Sequence, residues 1–149
     1  MSNHFKAVLS FIIISVIATS SFAQHKTLKK KSAATGGGLT AQIASGQKLY
    51  TQYCVSCHQA DGGGVQNMNP PLIKTSYVLG DKSKIIHILL KGFSEQVEIE
   101  GNYYNNTMPS FDYLKDQQIA DVLTYVRNSF GNKASAVKTA EVTKLRAAK

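Results

Sequence analysis

The sequence predicts an all-α fold of three to four helices joined by long loops, with a small β-hairpin late in the chain. Three observations lead there. Apolar residues recur at helical spacing in three segments, strand-like alternation occurs once and briefly, and the connections are rich in glycine and proline.

The first helix is expected from a cap at Thr40, with Ile43, Leu49, Tyr50 and Tyr53 on one broad face, and it runs directly into Cys54. A loop carrying Gly62, Gly63, Gly64, Pro70 and Pro71 follows, too broken for regular structure. Asp81 is placed to cap a second helix, "KSKIIHILLK", that stops at Gly92. In "VEIEGNYY", Val97 and Ile99 alternate with acids before the turn residues Glu100, Gly101 and Asn102, the pattern of a hairpin. A loop holding Met108 and Pro109 comes next. Residues 115–129, "KDQQIADVLTYVRNS", make the clearest helix: Ile119, Val122, Leu123 and Val126 form its stripe, and Gly131 lies just past its end. These elements supply a thin core for a domain spanning residues 40–132. Something else must fill the interior.

Outside that domain the chain changes character. Residues 1–23 have the order of a secretory signal peptide: a short start with one cation, an apolar run over residues 7–18, and small residues ending at Ala23. The run is short for a membrane span, which needs about 20 residues; export, most simply to a bacterial periplasm, is expected, with a membrane anchor as the alternative if cleavage fails. Residues 24–39 are rich in Lys, Ser and Gly and predict a flexible linker. The net charge of +8 sits on the ends. Residues 40–133 carry eight basic and eight acidic residues, whereas the linker holds Lys26, Lys29, Lys30 and Lys31 without an acid and residues 133–149 form a basic tail. A neutral folded part argues against a nucleic-acid-binding face, while basic ends favour encounter with anionic partners or a membrane surface.

The two cysteines, Cys54 and Cys57, are followed immediately by His58. Structural zinc needs four ligands, and beyond this cluster the only other plausible histidine is His87. A thioredoxin-like redox pair belongs at a strand-to-helix junction in a βαβ context, which is missing here. Covalent c-type haem attachment needs these residue types at this spacing. Each thiol adds across one vinyl group of the haem, and the adjacent imidazole reaches the iron. An export signal and an undersized apolar core agree with haem. For the sixth iron position the candidates are Met68, His87, Met108, His25 or no protein group. Met68 follows too soon after the motif, His87 sits mid-helix as a solvent-facing residue, and His25 belongs to the linker. Met108, in a loop stiffened by Pro109, is the assigned ligand. A His/Met pair favours reduced iron and electron transfer. Without Met108 on the iron, a peroxidase-like catalytic haem is the alternative.

With "GQKLYTQYCVSCH", "NPPL", "NTMPSF" and "IADVLTYVRNSFGN" in that order, the chain resembles a class I monohaem cytochrome c over about residues 40–146. The resemblance implies the cytochrome c fold around one covalent haem c and a role as an electron carrier rather than an enzyme. It further implies that Gly46 and Tyr50 mark the crossing of the first and last helices, near Val122 and Tyr125. One carbonyl of Pro70-Pro71, that of Pro70 ahead of that of Pro71, would accept the second ring N–H of His58, Leu72 would line the pocket, and Met108 would be the distal ligand. The hairpin, "YVRNSFGN" and "VKTAEVTKLRA" resemble a narrower group of small exported cytochromes and cytochrome modules of periplasmic dehydrogenases, nitrite reductases and terminal oxidases. Redox proteins are the implied donor and acceptor, and a monomer is expected.

Overall fold

A computed structural model describes residues 38–148. The expected signal peptide, most of the linker and His25 lie outside the described residues. The order of elements is α1 (Leu39–Tyr53), α2 (Val55–His58), α3 (Ser76–Leu79), α4 (Lys82–Lys91), β1 (Val97–Ile99), β2 (Asn102–Tyr104), α5 (Asp116–Asn128) and α6 (Thr139–Ala147). The fold is mainly helical with one small antiparallel sheet. Two of the six helices are single turns, so the larger count reflects short pieces and α6. Among the described residues no helix is long and apolar enough to cross a membrane.

Helix α1 begins one residue before the expected cap. Gly38 occupies the cap position without a side-chain bond, and Thr40 lies inside the first turn. Helix α4 is capped by Asp81, whose carboxylate accepts the Ser83 N–H at 2.9 Å, and it ends at Gly92. The hairpin pairs Val97 with Tyr104 and Ile99 with Asn102, turning through Glu100 and Gly101, both at positive φ. Its inner residues, Ile99 and Tyr104, are buried.

Helices α1 and α5 cross at Gly46. A Cβ there would lie 2.7 Å from the Tyr125 Cβ and closer still to the Asp121 carbonyl oxygen, so only glycine permits this approach. Beside the crossing, the Tyr50, Tyr125 and Phe130 rings stand 5.3–5.6 Å apart in tilted and edge-on arrangements. The Tyr50 hydroxyl donates to the Gln59 carbonyl oxygen at 2.6 Å, tying this cluster to the chain leaving the cysteine motif.

The expected end of the folded part at residue 132 is not where packing stops. Val137 and Val142 are fully buried. The Thr124 hydroxyl of α5 accepts the Val137 N–H at 2.9 Å and donates to the Val137 carbonyl. Lys82 of α4 pairs with Glu141 at 2.6 Å. The tail's charges therefore serve partly as ties to α4 and α5. Arg127 is another departure from simple polarity. It is buried, and its guanidinium donates to the carbonyls of Val78, Gly80 and Ser135. Carbonyls at a helix C-terminus lack intrahelical partners and carry partial negative charge, which suits a cation. Burial pushes the Arg127 guanidinium below its ordinary range.

Candidate functional site

The α1 backbone continues almost without a break through Cys54, whose N–H donates to the Tyr50 carbonyl at 2.8 Å. The Cys57 and His58 N–H groups both donate to the Cys54 carbonyl, at 3.1 and 2.9 Å. Residues three and four apart on a helical turn share a face. Cys54, Cys57 and His58 accordingly line one cavity of about 180 Å³, with Pro70 and Met108 also in its wall. An adjoining lobe of about 100 Å³ shares Cys54, His58, Pro70 and Met108 and adds Leu72 and core residues such as Ile85 and Val126. Neither lobe is lined by an Asp, Glu, Lys or Arg side chain.

Cys54 is half-buried and Cys57 exposed. Burial, reinforced by neighbouring Cys57, pushes the Cys54 thiol up to about 12. His58 is buried, and its Nδ1–H donates to the Pro70 carbonyl oxygen at 2.9 Å. A carbonyl only accepts, so Nε2 is left as the lone-pair nitrogen. Burial lowers the imidazole's proton affinity, opposed by the Pro70 bond that raises it. The ring is thus a neutral, oriented donor nitrogen.

The loop bringing Pro70 to His58 depends on Gly64. This residue sits at φ +68°, and a Cβ would lie 2.7 Å from the Pro70 carbonyl. Gly64 N–H donates to the His58 carbonyl at 3.0 Å, while Leu72 N–H donates to the Gly62 carbonyl at 2.7 Å. The Met108 loop hangs from the other end of the site. Met108 and Phe93 exchange N–H···O=C bonds of 2.7 and 2.9 Å. The Phe111 N–H and Ser110 hydroxyl satisfy the Leu89 and Leu90 carbonyls at the end of α4. Helix ends need such partners, and here the caps fix Met108 at the cavity.

Met68 is 48% exposed and His87 is exposed, and neither lines the cavity. Sequence reasoning missed Tyr77, Ile88 and Phe93, which also line it. Phe93, in a loop, and Tyr77, on the single turn of α3, belong to no apolar stripe; in the structure the Lys84 ammonium lies 3.5 Å over the Tyr77 ring.

The donor set is two thiols, a neutral imidazole and a thioether around an apolar space, which fits a covalently attached haem. Comparison with known proteins points to the same cofactor. The Cytochrome c family model matches residues 43–130. A cytochrome c-552 of Thermus thermophilus is 40% identical over 123 residues, covering 76% of this chain and 82% of that protein. The cytochrome c subunit of a quinone alcohol dehydrogenase from Gluconacetobacter polyoxogenes is 37% identical over 114 residues, 73% of this chain but 24% of the subunit. A gluconate 2-dehydrogenase cytochrome c subunit from Pantoea cypripedii is 36% identical over 100 residues, 65% of this chain and 22% of that subunit. The chain spans about a quarter of the length of those dehydrogenase subunits.

Proposed function

The chain belongs to the cytochrome c family, which carries haem c, and from that premise we propose that it relays single electrons through a haem anchored by Cys54 and Cys57 and ligated by His58 and Met108. The observation that carries this is the meeting of those four side chains at one cavity without an ionic wall. The haem, when bound, supplies the one-electron chemistry.

The chain's own residues do the rest. Cys54 and Cys57, committed to thioethers, no longer form a disulfide in an oxidising compartment. Pro70 holds the His58 ring and raises its basicity as a ligand. Met108 offers a soft sulfur, which favours ferrous iron. Leu72, Ile85 and Val126 exclude water from the pocket. If His58 and Met108 both held the iron, they would leave peroxide no open position, which favours carriage of electrons.

The proposal extends to export directed by residues 1–23, a linker over residues 24–39, and a haem domain from residue 40. Redox proteins serve as donor and acceptor, of the dehydrogenase, reductase or oxidase kind, with basic ends assisting encounter at a membrane surface. The test is the ferric absorption spectrum of the haem-loaded protein. The long-wavelength charge-transfer band of sulfur-to-iron ligation is expected in wild type and lost in Met108→Ala. Its absence from wild type, together with ready cyanide binding, would establish a catalytic haem instead.

A further inference from the structure

Two consecutive prolines place the Pro70 carbonyl, and neither has an N–H with which to anchor itself. The position of that carbonyl depends on the residues either side. On the N-terminal side, Val65 and Asn69 exchange backbone bonds of 2.8 and 2.9 Å. On the C-terminal side one bond is backbone to backbone, from Leu72 N–H to Gly62. The other two come from a single distant side chain. Asn132 Nδ2 donates to the Leu72 carbonyl at 2.8 Å, and its Oδ1 accepts the Lys74 N–H at 2.7 Å. The second Nδ2 hydrogen goes to the Val126 carbonyl in the last turn of α5, at 2.7 Å.

Asn132 is 3% exposed, and these three bonds use both amide hydrogens and the oxygen. Its own backbone is set by a reversal through Phe130 and Gly131, at φ +57° and +76°, which folds the chain back beneath α5. The Phe130 ring packs against Gly62. One side chain thus ties the end of α5 to the peptide groups on either side of Ile73, beginning two residues from the carbonyl that orients His58. The Leu72 carbonyl requires a donor and the Lys74 N–H an acceptor, and a side-chain amide supplies both at once.

We propose that Asn132 is a positioning residue for the His58 ligand, acting through Leu72 and Lys74 to hold the Pro70 carbonyl on the imidazole N–H. This rests on the haem ligation proposed above. Loosening the carbonyl weakens the His58 bond, lowers the basicity of the imidazole toward ferric iron and raises the reduction potential. Thr124→Val is the control, because it removes buried bonds from the same helix on the side facing Val137, away from the loop.

The experiment uses the haem-loaded protein and reads the His58 Nδ1–H by nitrogen-edited NMR in the ferrous state, with the midpoint potential measured alongside. In Asn132→Ala the proton is expected to exchange about three- to tenfold faster, the factor corresponding to one net hydrogen bond, and the potential to rise. Thr124→Val should leave both unchanged at comparable loss of stability. Unchanged exchange and potential in Asn132→Ala, or equal shifts in both variants, would overturn the proposal. If Asn132→Ala does not fold, wild-type exchange decides: Lys74 N–H and His58 Nδ1–H should lose protection together as denaturant is added, and independent opening refutes the coupling. Failure of the haem ligation itself is a separate outcome, seen as a wild-type spectrum without histidine-bound haem.

Discussion

The two sides of this domain are held by different means. Where α1 crosses α5, helix meets helix directly: Gly46 lies on the Asp121 carbonyl, and Ile119 and Ala120 are fully buried. Where residues 59–75 and 105–115 run, the chain has little regular structure, and scattered hydrogen bonds, among them those to Gly62, Phe93, Leu89 and Asn132, fix it. Those loops face a cavity rather than another packed layer. The helical side is stabilised by its own apolar contacts, whereas the loop side would take its apolar partner from the haem proposed above. Covalent attachment matters most to the weaker side.

The largest effect should come from removing that attachment. In Cys54→Ala/Cys57→Ala the loop side loses the group it packs on, and the cooperative thermal transition followed by circular dichroism is expected to disappear. A native-like cooperative melt in haem-free protein would show that the loops are self-sufficient after all.

Gly46→Ala attacks the helical side. Alanine favours a helix interior over glycine by about 1 kcal/mol, but overpacking costs ~1–3 kcal/mol or more when the neighbour is backbone. The Asp121 carbonyl is held in α5 and cannot yield as a side-chain tip does. A net loss of about 2 kcal/mol is expected in urea unfolding of the haem-loaded protein. A neutral or stabilising result would mean that the helices separate freely at their crossing.

Thr124→Val tests how firmly the segment after α5 belongs to the helical side. The Val137 N–H would be left buried without an acceptor, at a cost of about 1–3 kcal/mol. Because the defect lies between α5 and Val137, the haem spectrum should not change. A spectral shift would show that the two sides are not separable.

How much of this was visible in the sequence follows the same division. Helix α5 was legible because Ile119, Val122, Leu123 and Val126 repeat at helical spacing, and α4 because Asp81 and Gly92 mark its ends. The hairpin was legible from Glu100 and Gly101, which take the positive φ that a tight turn needs. Helix α6 was not. It buries only Val142 among its residues, so no apolar stripe announces it. Its capping interaction, Glu141 accepting the Lys138 N–H at 2.7 Å, is too short a signal alone. Arg127 was equally hidden, since a cation on a helix reads as solvent-facing until the carbonyls that surround it are known. At the site, the cysteine motif announced itself through side-chain chemistry at fixed spacing. The cavity walls at Tyr77, Ile88 and Phe93 did not, because only the fold brings those positions together.

The smallest expected effect concerns the surface tie between α5 and α6. Asp116 accepts the Thr143 hydroxyl and pairs with Arg146 at 2.6 Å. The Thr143 bond first, then the Arg146 guanidinium, hold its carboxyl below the usual carboxylate range against an opposing contribution from partial burial. A depressed folded pKa means that the contribution is fully present above the unfolded value of about 3.9 and is lost as pH falls through the lower folded value. The pair is part-exposed, so the contribution should be at most about 1 kcal/mol. Glu141 is also held low and titrates in the same direction. Asp116→Asn compared with wild type isolates the Asp116 share. The stability difference should be constant above about pH 5 and shrink in acid as wild type loses the same charge. A difference that persists unchanged below the folded pKa would place the effect in packing of α6 rather than in the carboxylate.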